Sequence, residues 1–422
     1  MSSSVKLQLG NPSIPSKWEI IPIHTSDVAN FNRCRRYWDW SSPTRTNLRH
    51  RVDIYGINFP MWFGTGVHYA LEQMYHPILK RDPVEAFLTW FNFQWEGGIV
   101  GPQWLERTYD IHPRIVPFNE DIVIEGGLAQ PHYEITGLKD LLPDPIEEEF
   151  EIHRELGIGM LTFYKDYAER EDDFEVVAVE STYSIPLGFE VVDQREDSPN
   201  VGKRLEVHAR GKRDQVIWWP ERDHFGILEN KTAARVDEDY FLKYEKDPQA
   251  TNYLWATNEE AKMHDFPWSD KPITKLVVNA LRKNYPKPPS ILKSGYPSLN
   301  RSEEGTSAEL FQELVLSRPE IKMWFQDNEK AQAYYQYLID QGEKLFIIRE
   351  PVYRNEHEIL NAGEQLRMIA EEMLNPEIKI WPSPTGANSC LRCAFRAPCI
   401  AADDGSDWQG MLADGYETNR DR

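Results

Sequence analysis

Residues 211–232 read Gly-Lys-Arg-Asp-Gln-Val-Ile-Trp-Trp-Pro-Glu-Arg-Asp-His-Phe-Gly-Ile-Leu-Glu-Asn-Lys-Thr. Two apolar runs, 215–219 and 225–228, flank the turn sequence Pro-Glu-Arg-Asp. Short apolar runs on either side of a proline-containing turn are typical of consecutive strands. The stretch therefore predicts an antiparallel hairpin within a sheet.

Three charged residues stand at one end of this hairpin. Asp214 precedes the first run, and Glu229 and Lys231 lie two residues apart at the end of the second. Because strand side chains alternate, Glu229 and Lys231 share a face, and neighbouring strands can present all three groups to one point. Two carboxylates with no thiol nearby suit Mg²⁺ or Mn²⁺, and a lysine can stabilise developing charge. Charged hairpins are common, so this spacing alone also fits a solvated strand end.

Further residues could join this site. His68 follows Phe63-Gly-Thr-Gly-Val on a predicted helix and could supply a nitrogen ligand, although a lone helical histidine is commonly structural. Glu180 ends the run Val-Val-Ala-Val-Glu and is either a further metal carboxylate or a strand-edge residue. Gln249 and Tyr253 share one helix face at i, i+4, where they could position a phosphate or simply pack.

The chain has four cysteines, and their placement is informative. Cys34 lies near the N-terminus, whereas Cys390, Cys393 and Cys399 form a C-x2-C-x5-C pattern near the C-terminus. Four thiolates suit a zinc ion or an iron–sulfur cluster, and spacing alone does not separate the two. Two disulfides would suit a small secreted domain better than this long chain without an apolar leader. Unrelated buried or redox thiols are the remaining alternative.

Composition bounds the remaining options. The 422 residues are 41% hydrophobic, which is enough for a large core, and no apolar run is long enough to span a membrane. We therefore expect a cytoplasmic protein, in the host cytoplasm if it is phage-encoded, with no membrane partner. The net charge of −21 disfavours nonspecific nucleic-acid binding, although arginines such as Arg35 and Arg36 are locally concentrated.

The periodicity predicts alternating strands and helices. Predicted strands cover 176–185, 205–209, 215–219, 225–228, 273–281 and 345–352. Predicted helices cover 63–78, 83–96, 146–170, 247–263, 306–317, 327–342 and 355–374. The segment 97–145 is rich in glycine and proline and is expected to be irregular, and the last twenty residues are expected to be frayed.

The order of these motifs resembles a known family. The motifs follow one another as in the RecB-like branch of the PD-(D/E)XK nuclease superfamily: a cysteine, a helix with Gly-x-His, then Gly-x-x-Asp, Glu-x-Lys-Thr, Gln-x3-Tyr and C-x2-C-x5-C. The similarity is to its iron–sulfur members: CRISPR-associated RecB-like exonucleases, the AddB nuclease domain and their phage relatives. Two features depart from the family pattern, because no proline precedes Asp214 and Glu229 replaces the commoner aspartate.

The resemblance implies an architecture. We expect an α/β fold with a PD-(D/E)XK restriction-endonuclease-like core, in which helices flank a central mixed sheet and a four-cysteine cluster lobe joins the two termini. An N-terminal extension would cover 1–24, one nuclease domain 25–400 and a polar tail 401–422. Insertions near 97–145 and 295–345 exceed what a minimal nuclease needs.

The resemblance also implies roles. His68, Asp214 and Glu229 would bind Mg²⁺ or Mn²⁺, with Glu180 as a further metal ligand, and Lys231 would be catalytic. The DNA-binding residues would be Gln249, Tyr253, Arg35 and Arg36. The cysteines would hold a 4Fe–4S cluster, with zinc as the alternative.

The expected activity is metal-dependent exonucleolytic cleavage of DNA with single-stranded ends, in recombination, repair or phage- and CRISPR-related processing. A recombination or CRISPR-adaptation protein is a possible partner. Two alternatives remain: an inactive DNA- or partner-binding module on the same scaffold, and a zinc-stapled RNA-processing nuclease.

Overall fold

The structure is a computed structural model. It describes residues 15–50, 59–93, 144–195, 198–301 and 305–418. The segment 97–145 was expected to be irregular. Its residues 97–143 lie outside the described ranges, and a helix begins at Asp144.

A six-stranded mixed sheet forms the centre of the fold. The described chain has eight strands, six of which form this sheet: β1 Ile21–His24, β2 Leu48–His50, β3 Glu175–Val192, β4 Arg204–Trp219, β5 His224–Ala233, β6 Lys275–Arg282, β7 Ile347–Tyr353 and β8 Tyr416–Thr418. The main sheet runs β1-β4-β5-β6-β7, and β3 pairs with the other side of β4. The β1–β4 and β5–β6 pairs are parallel, and the β3–β4, β4–β5 and β6–β7 pairs are antiparallel. Strands β2 and β8 form a separate two-stranded sheet.

Helices account for most of the remaining described chain. They are α1 Thr25–Arg33, α2 Arg35–Ser41, α3 Phe59–Tyr75, α4 Pro83–Phe93, α5 Asp144–Glu171, α6 Glu238–Leu242, α7 Pro248–Met263, α8 Ala308–Ser317, α9 Pro319–Gln326, α10 Glu329–Gln341, α11 Glu356–Met373, α12 Ala387–Leu391, α13 Arg396–Asp404 and α14 Trp408–Gly415. Among the helices described, none is long and apolar enough to cross a membrane.

Two hydrophobic cores lie on opposite faces of the sheet. Alternate residues of β6 show the division, because Val278 packs with α1, α7 and α11, whereas Leu281 packs with α3, α5 and α8. The sheet is thus covered by helices on both faces, and the expected α/β architecture is confirmed. The segment 295–345 belongs to the second core, where Phe311 and Leu338 are buried. It contains three helices rather than the two predicted, because Pro319 begins a new helix.

The predicted hairpin is present as β4 and β5, with one difference. The runs 205–209 and 215–219 were expected to be separate strands, yet both belong to β4. Gly211 lies between the two runs, and glycine inside a strand weakens it. A residue without a side chain is required here, because a Cβ at Gly211 would collide with the hydroxyl of Tyr183 on β3.

The C-terminal segment, as far as it is described (up to Thr418), is folded rather than frayed. Residues beyond 401 complete α13 and form α14 and β8, and β8 pairs with β2. Tyr416 is buried and stacks on Phe395, which also contacts Trp40. Aromatic packing against the N-terminal residues therefore orders a segment whose polar composition indicated a tail.

Candidate active site

The candidate site lies where β4 and β5 part. Their ladder ends at the pair Gln215–Leu228, and Asp214 and Glu229 are the next residues on the two strands. Beyond this point β4 pairs with β1, while β5 continues along β6. The backbone N–H of Asn230 donates to Asp214 Oδ2 at 2.7 Å, so the Asp214 carboxylate bridges the fork.

Glu229 and Lys231 share one face, as the strand period predicted. Lys231 Nζ donates to Glu229 Oε1 at 2.6 Å. The other oxygen, Glu229 Oε2, is buried, and no described residue forms a hydrogen bond with it. Burial and the neighbouring Asp214 charge raise the pKa of Glu229 from 4.5 to about 7. A buried carboxylate oxygen without a partner is a suitable ligand for a cation.

Asn230, between these two residues, points to the opposite face. Its side-chain oxygen accepts a hydrogen bond from Asn279 Nδ2 at 2.7 Å, and Asn279 also donates to Tyr164 OH at 2.8 Å. The buried amide pair fixes the register of β5 against β6. It thereby fixes the direction of the two functional side chains.

Helix α3 brings His68 to the fork from the side of the second core. At its N-terminal end the helix approaches β5 so closely that a Cβ at Gly64 would lie 3.3 Å from Thr232 Oγ1. His68 Nδ1 lies 3.5 Å from Asp214 Oδ2. Burial opposes the charged imidazole, but the hydrogen bond and charge of Asp214 prevail, and the pKa of His68 is raised above 6.5.

Glu180 completes a compact group of ligand atoms. One atom from each of His68, Glu180 and Asp214 lies within 4.8 Å of the other two. Glu180 has a φ of 46° in the middle of β3, between the paired residues Val179 and Ser181. A left-handed glutamate inside a strand is strained, and such strain is concentrated at functional sites. Glu180 also forms an ion pair with Lys212, and burial raises the pKa of its carboxyl group.

Sequence reasoning missed Glu72, which lies one helical turn after His68. Burial raises the pKa of Glu72, and its charge acts on both Glu180 and Asp214. The i, i+4 spacing from His68 was the available signal. Asp214 and Glu229 thus lie at the fork, Glu180 has a ligand atom within 4.8 Å of one on Asp214, and Glu72 adds a nearby carboxyl group.

Helix α7 covers the opposite side of this region. Gln249 Nε2 donates to Tyr253 OH at 2.7 Å, so the predicted i, i+4 pair is present. Tyr253 is buried, and burial raises its pKa well above the usual value. The helix is anchored behind Asp214 by Arg213, which forms an ion pair with Glu260.

The four cysteines come from both ends of the chain, as predicted. Cys393 and Cys399 lie near Cys34, and burial raises the pKa of Cys393 and Cys399. Cys34 Sγ accepts a hydrogen bond from the Ser383 N–H at 3.4 Å. Cys390 is exposed. Within the described ranges, no three of these thiols lie within 4.8 Å of one another.

Arg35 and Arg36 lie in this terminal lobe, where each guanidinium is used within the chain. Arg35 pairs with Glu372, and Arg36 pairs with Asp403 at 2.7 Å. Arg36 also donates to the carbonyl oxygen of Cys399 at 3.1 Å and to its Sγ at 3.4 Å. Arg35 thus joins α2 to α11, and Arg36 joins α2 to α13. The DNA contacts expected of the two arginines stay a prediction.

The fork, its converging carboxyl groups and the adjacent lysine are the features of a metal-dependent phosphodiester hydrolase. The family model of the PD-(D/E)XK nuclease superfamily matches residues 25–400, and the chain belongs to this superfamily. Membership implies a divalent cation such as Mg²⁺ or Mn²⁺ and a nucleic-acid substrate.

The remaining comparisons are weaker. A solved structure titled "Crystal structure of SSO0001" is 13% identical over 61% of this chain and 80% of its own, with a TM-score of 0.24. A similarity that low supports no further inference. No curated protein matches the chain.

Proposed function

We propose that this protein is a deoxyribonuclease of the RecB-like branch, which hydrolyses DNA from an end with Mg²⁺ or Mn²⁺. The observation that carries the proposal is the grouping of His68, Glu180 and Asp214 within 4.8 Å beside the Glu229–Lys231 pair. Carboxylate oxygens with one imidazole suit a hard divalent cation. The buried, unpartnered Glu229 Oε2 supports the same assignment.

Each residue has a separate task in this proposal. Asp214, Glu229, His68 and Glu180 hold the cation, and Glu72 adds negative charge nearby. The cation would polarise the scissile phosphate and make the attacking water more acidic. Lys231, whose pKa stays raised through Glu229 despite burial, remains protonated and stabilises negative charge on the phosphate. Gln249 would contact the substrate, and the hydrogen bond from Gln249 Nε2 to Tyr253 OH would hold the Gln249 side chain in place.

The cysteines fit a 4Fe–4S cluster with a structural role in this proposal. The family resemblance carries this choice, since four thiolates also suit a single zinc ion. Arg36 beside Cys399 and the Ser383 N–H on Cys34 would stabilise thiolate charge. Reduced thiols also suit a reducing compartment such as the cytoplasm.

The test is cleavage of end-labelled linear DNA and of circular single-stranded DNA, with Mg²⁺, Mn²⁺ or excess chelator. We expect metal-dependent loss of the linear substrate only. Lys231→Ala should reduce the rate by at least about 100-fold, the size typical of such groups. Lys262→Ala is the matched control, because Lys262 also pairs with a carboxylate at 2.6 Å but lies on the exposed side of α7.

Other results would point elsewhere. A wild-type protein that binds DNA and cuts nothing with either metal would favour a binding module. Preferential cleavage of RNA would favour the RNA-processing alternative. Activity that survives exhaustive chelation would exclude the metal mechanism.

A further inference from the structure

A cavity of 570 Å³ lies directly beside Lys231. One wall is the end of β5, formed by Lys231, Thr232 and Ala233, and the opposite wall is the link between α6 and α7. The volume is within the range of about 300–1,000 Å³ that is usual for small-ligand sites, so one nucleotide unit fits. The metal-site residues described above, apart from Lys231 and Gln249, do not line it.

Two lysines lie in this wall. Lys243 and Lys246 are exposed and line the cavity, and neither forms an ion pair with a described residue. By contrast, Lys212 and Lys231 at the metal site are each paired with a glutamate. The acidic lining residue is Asp247, and its carboxylate already accepts a hydrogen bond from the Gln249 N–H at the start of α7. Unpaired lysines beside a catalytic lysine, in a chain with a net charge of −21, favour a phosphate ligand.

An aromatic surface lies next to these lysines. Lys243 Nζ rests 3.6 Å from the centre of the Tyr240 ring, and the buried Tyr244 packs against the same ring at 5.9 Å. Lys243 is exposed and can move off the ring without breaking an ion pair. The face of Tyr240 would then be free for a base to stack on.

We propose that this cavity binds one unpaired nucleotide of a DNA strand next to the scissile phosphate, with its base on Tyr240 and its phosphates at Lys243 and Lys246. The proposal rests on the proposed nuclease function and names a subsite for it. A base within a duplex is stacked and paired and cannot offer its face to Tyr240. The enzyme therefore takes frayed or single-stranded DNA at this position.

The lysine contacts are tested by the salt dependence of binding. The double variant Lys243→Ala/Lys246→Ala and the charge-matched control Lys293→Ala/Lys322→Ala are compared in the Lys231→Ala background with a labelled single-stranded oligonucleotide. Lys293 and Lys322 are exposed and do not line the cavity. Losing two phosphate contacts should lower the slope of log K against log[salt] by about 1.4 for a single strand. The control should leave the slope unchanged.

The stacking contact is tested with abasic oligonucleotides. Tyr240→Ala should weaken binding by about 5- to 150-fold, whereas Tyr240→Phe, which keeps the ring, should bind like the parent. When one abasic site is moved along the oligonucleotide, one position should weaken binding by the same factor as Tyr240→Ala does. With the abasic site at that position, Tyr240→Ala should weaken binding no further. The exposed Tyr353→Ala serves as the aromatic control.

The outcomes separate this proposal from the nuclease function itself. If the enzyme cuts DNA and the cavity variants match their controls, the subsite is wrong while the function stands. If nothing is cut but binding depends on Tyr240 and both lysines as described, the subsite stands and the nuclease function falls. Equal loss of blunt duplex and single-strand binding in Tyr240→Ala would also overturn the proposal.

Discussion

The raised pKa of Glu229 indicates that the fork is suited to a cation. Its pKa of about 7 means that burial and Asp214 together oppose its ionisation more than Lys231 favours it. The pKa of Asp214 itself is lowered, because His68, the Asn230 N–H and Lys231 together outweigh its burial. A bound divalent cation would supply the positive charge that the buried carboxyl groups lack.

The first prediction concerns pH and stability without metal. Glu229 retains a proton in the folded state between about pH 4.5 and pH 7 that the unfolded chain has released, so stability falls as pH rises through that window. His68, with a raised pKa, contributes stability below pH 6.5 that is lost as pH rises through its folded pKa. Urea unfolding in chelator should therefore show a loss of about 2 kcal/mol between pH 5 and pH 8.

Glu229→Gln is the matching variant. It removes the Glu229 contribution, so most of the slope should disappear. Saturating Mg²⁺ should reverse the slope in the wild type, because the cation binds the ionised carboxyl groups. A metal-free wild type whose stability rises across this range would contradict the electrostatic account of the site.

The sequence predicted the shared face of Glu229 and Lys231 because strand geometry depends on spacing alone. It left Glu180 undecided, because nothing in Val-Val-Ala-Val-Glu indicates a left-handed residue. It missed Glu72 because a glutamate on an amphipathic helix is ordinarily solvent-exposed, and only the approach of α3 to the fork brings it near Asp214.

Strand β3 carries the second prediction, which concerns the backbone at Glu180. Both Glu180→Gly and Glu180→Ala remove the carboxylate and its ion pair with Lys212. In an ordinary strand the glycine variant would be the less stable of the two. Here the positive φ should reverse the order, so that the glycine variant is more stable by about 1 kcal/mol.

The measurement is the denaturation midpoint of the two variants in chelator. Metal affinity should fall in both, because both lack the ligand. Equal midpoints, or a more stable alanine variant, would show that the backbone at residue 180 is not strained. Glu180→Gln separates the two effects, since it keeps a side chain of similar shape and removes only the charge.

Periodic elements were predictable and their irregularities were not. The helix predicted at 146–170 appears as α5, and that at 247–263 as α7, because repeated apolar spacing sets their buried faces. Strand β4 is continuous through Gly211, where the hydroxyl of Tyr183 on β3 would collide with a Cβ. Sequence periodicity contains no information about such a contact between strands.

The terminal lobe joins the two ends of the chain through several kinds of contact. Arg33 donates to the Ser389 carbonyl oxygen at 3.2 Å, and Arg36 pairs with Asp403 over a separation of 367 residues. Aromatic packing adds Trp40 against Phe395. The cysteine pattern predicted this meeting of the termini, because a four-thiolate site needs Cys34. The cysteine pattern did not predict that Arg35 and Arg36 would form ion pairs with carboxylates near the other end of the chain.

The third prediction compares a cysteine with an arginine in this lobe. Cys34→Ser should lose the absorbance near about 400 nm expected of a thiolate-bound cluster, together with thermal stability, since cluster binding and folding are coupled. Arg36→Ala should keep most of the cluster and lower the melting temperature less, because a partly exposed ion pair contributes at most about 1 kcal/mol.

DNA binding distinguishes the role of these arginines. Because Arg36 is used within the chain, Arg36→Ala should change DNA affinity by less than about 2-fold, whereas a lost phosphate contact would also lower the salt slope. Cys34→Ser protein that keeps full metal content and stability would contradict the four-cysteine site. A clear fall in the salt slope of Arg36→Ala would support the predicted phosphate-binding role.

Catalysis by a cation held at the fork between β4 and β5 is the proposal on which the other roles depend. Its most direct test is Mn²⁺ binding by electron paramagnetic resonance, with cleavage of linear DNA measured on the same samples, for wild type and Asp214→Asn. The asparagine keeps an oxygen that can accept the Asn230 N–H, so the fold should survive. We expect the wild type to bind Mn²⁺ and cut DNA, and the variant to lose Mn²⁺ affinity and at least about 100-fold in rate. Unchanged Mn²⁺ binding and cleavage in Asp214→Asn would place the reaction elsewhere and contradict the account.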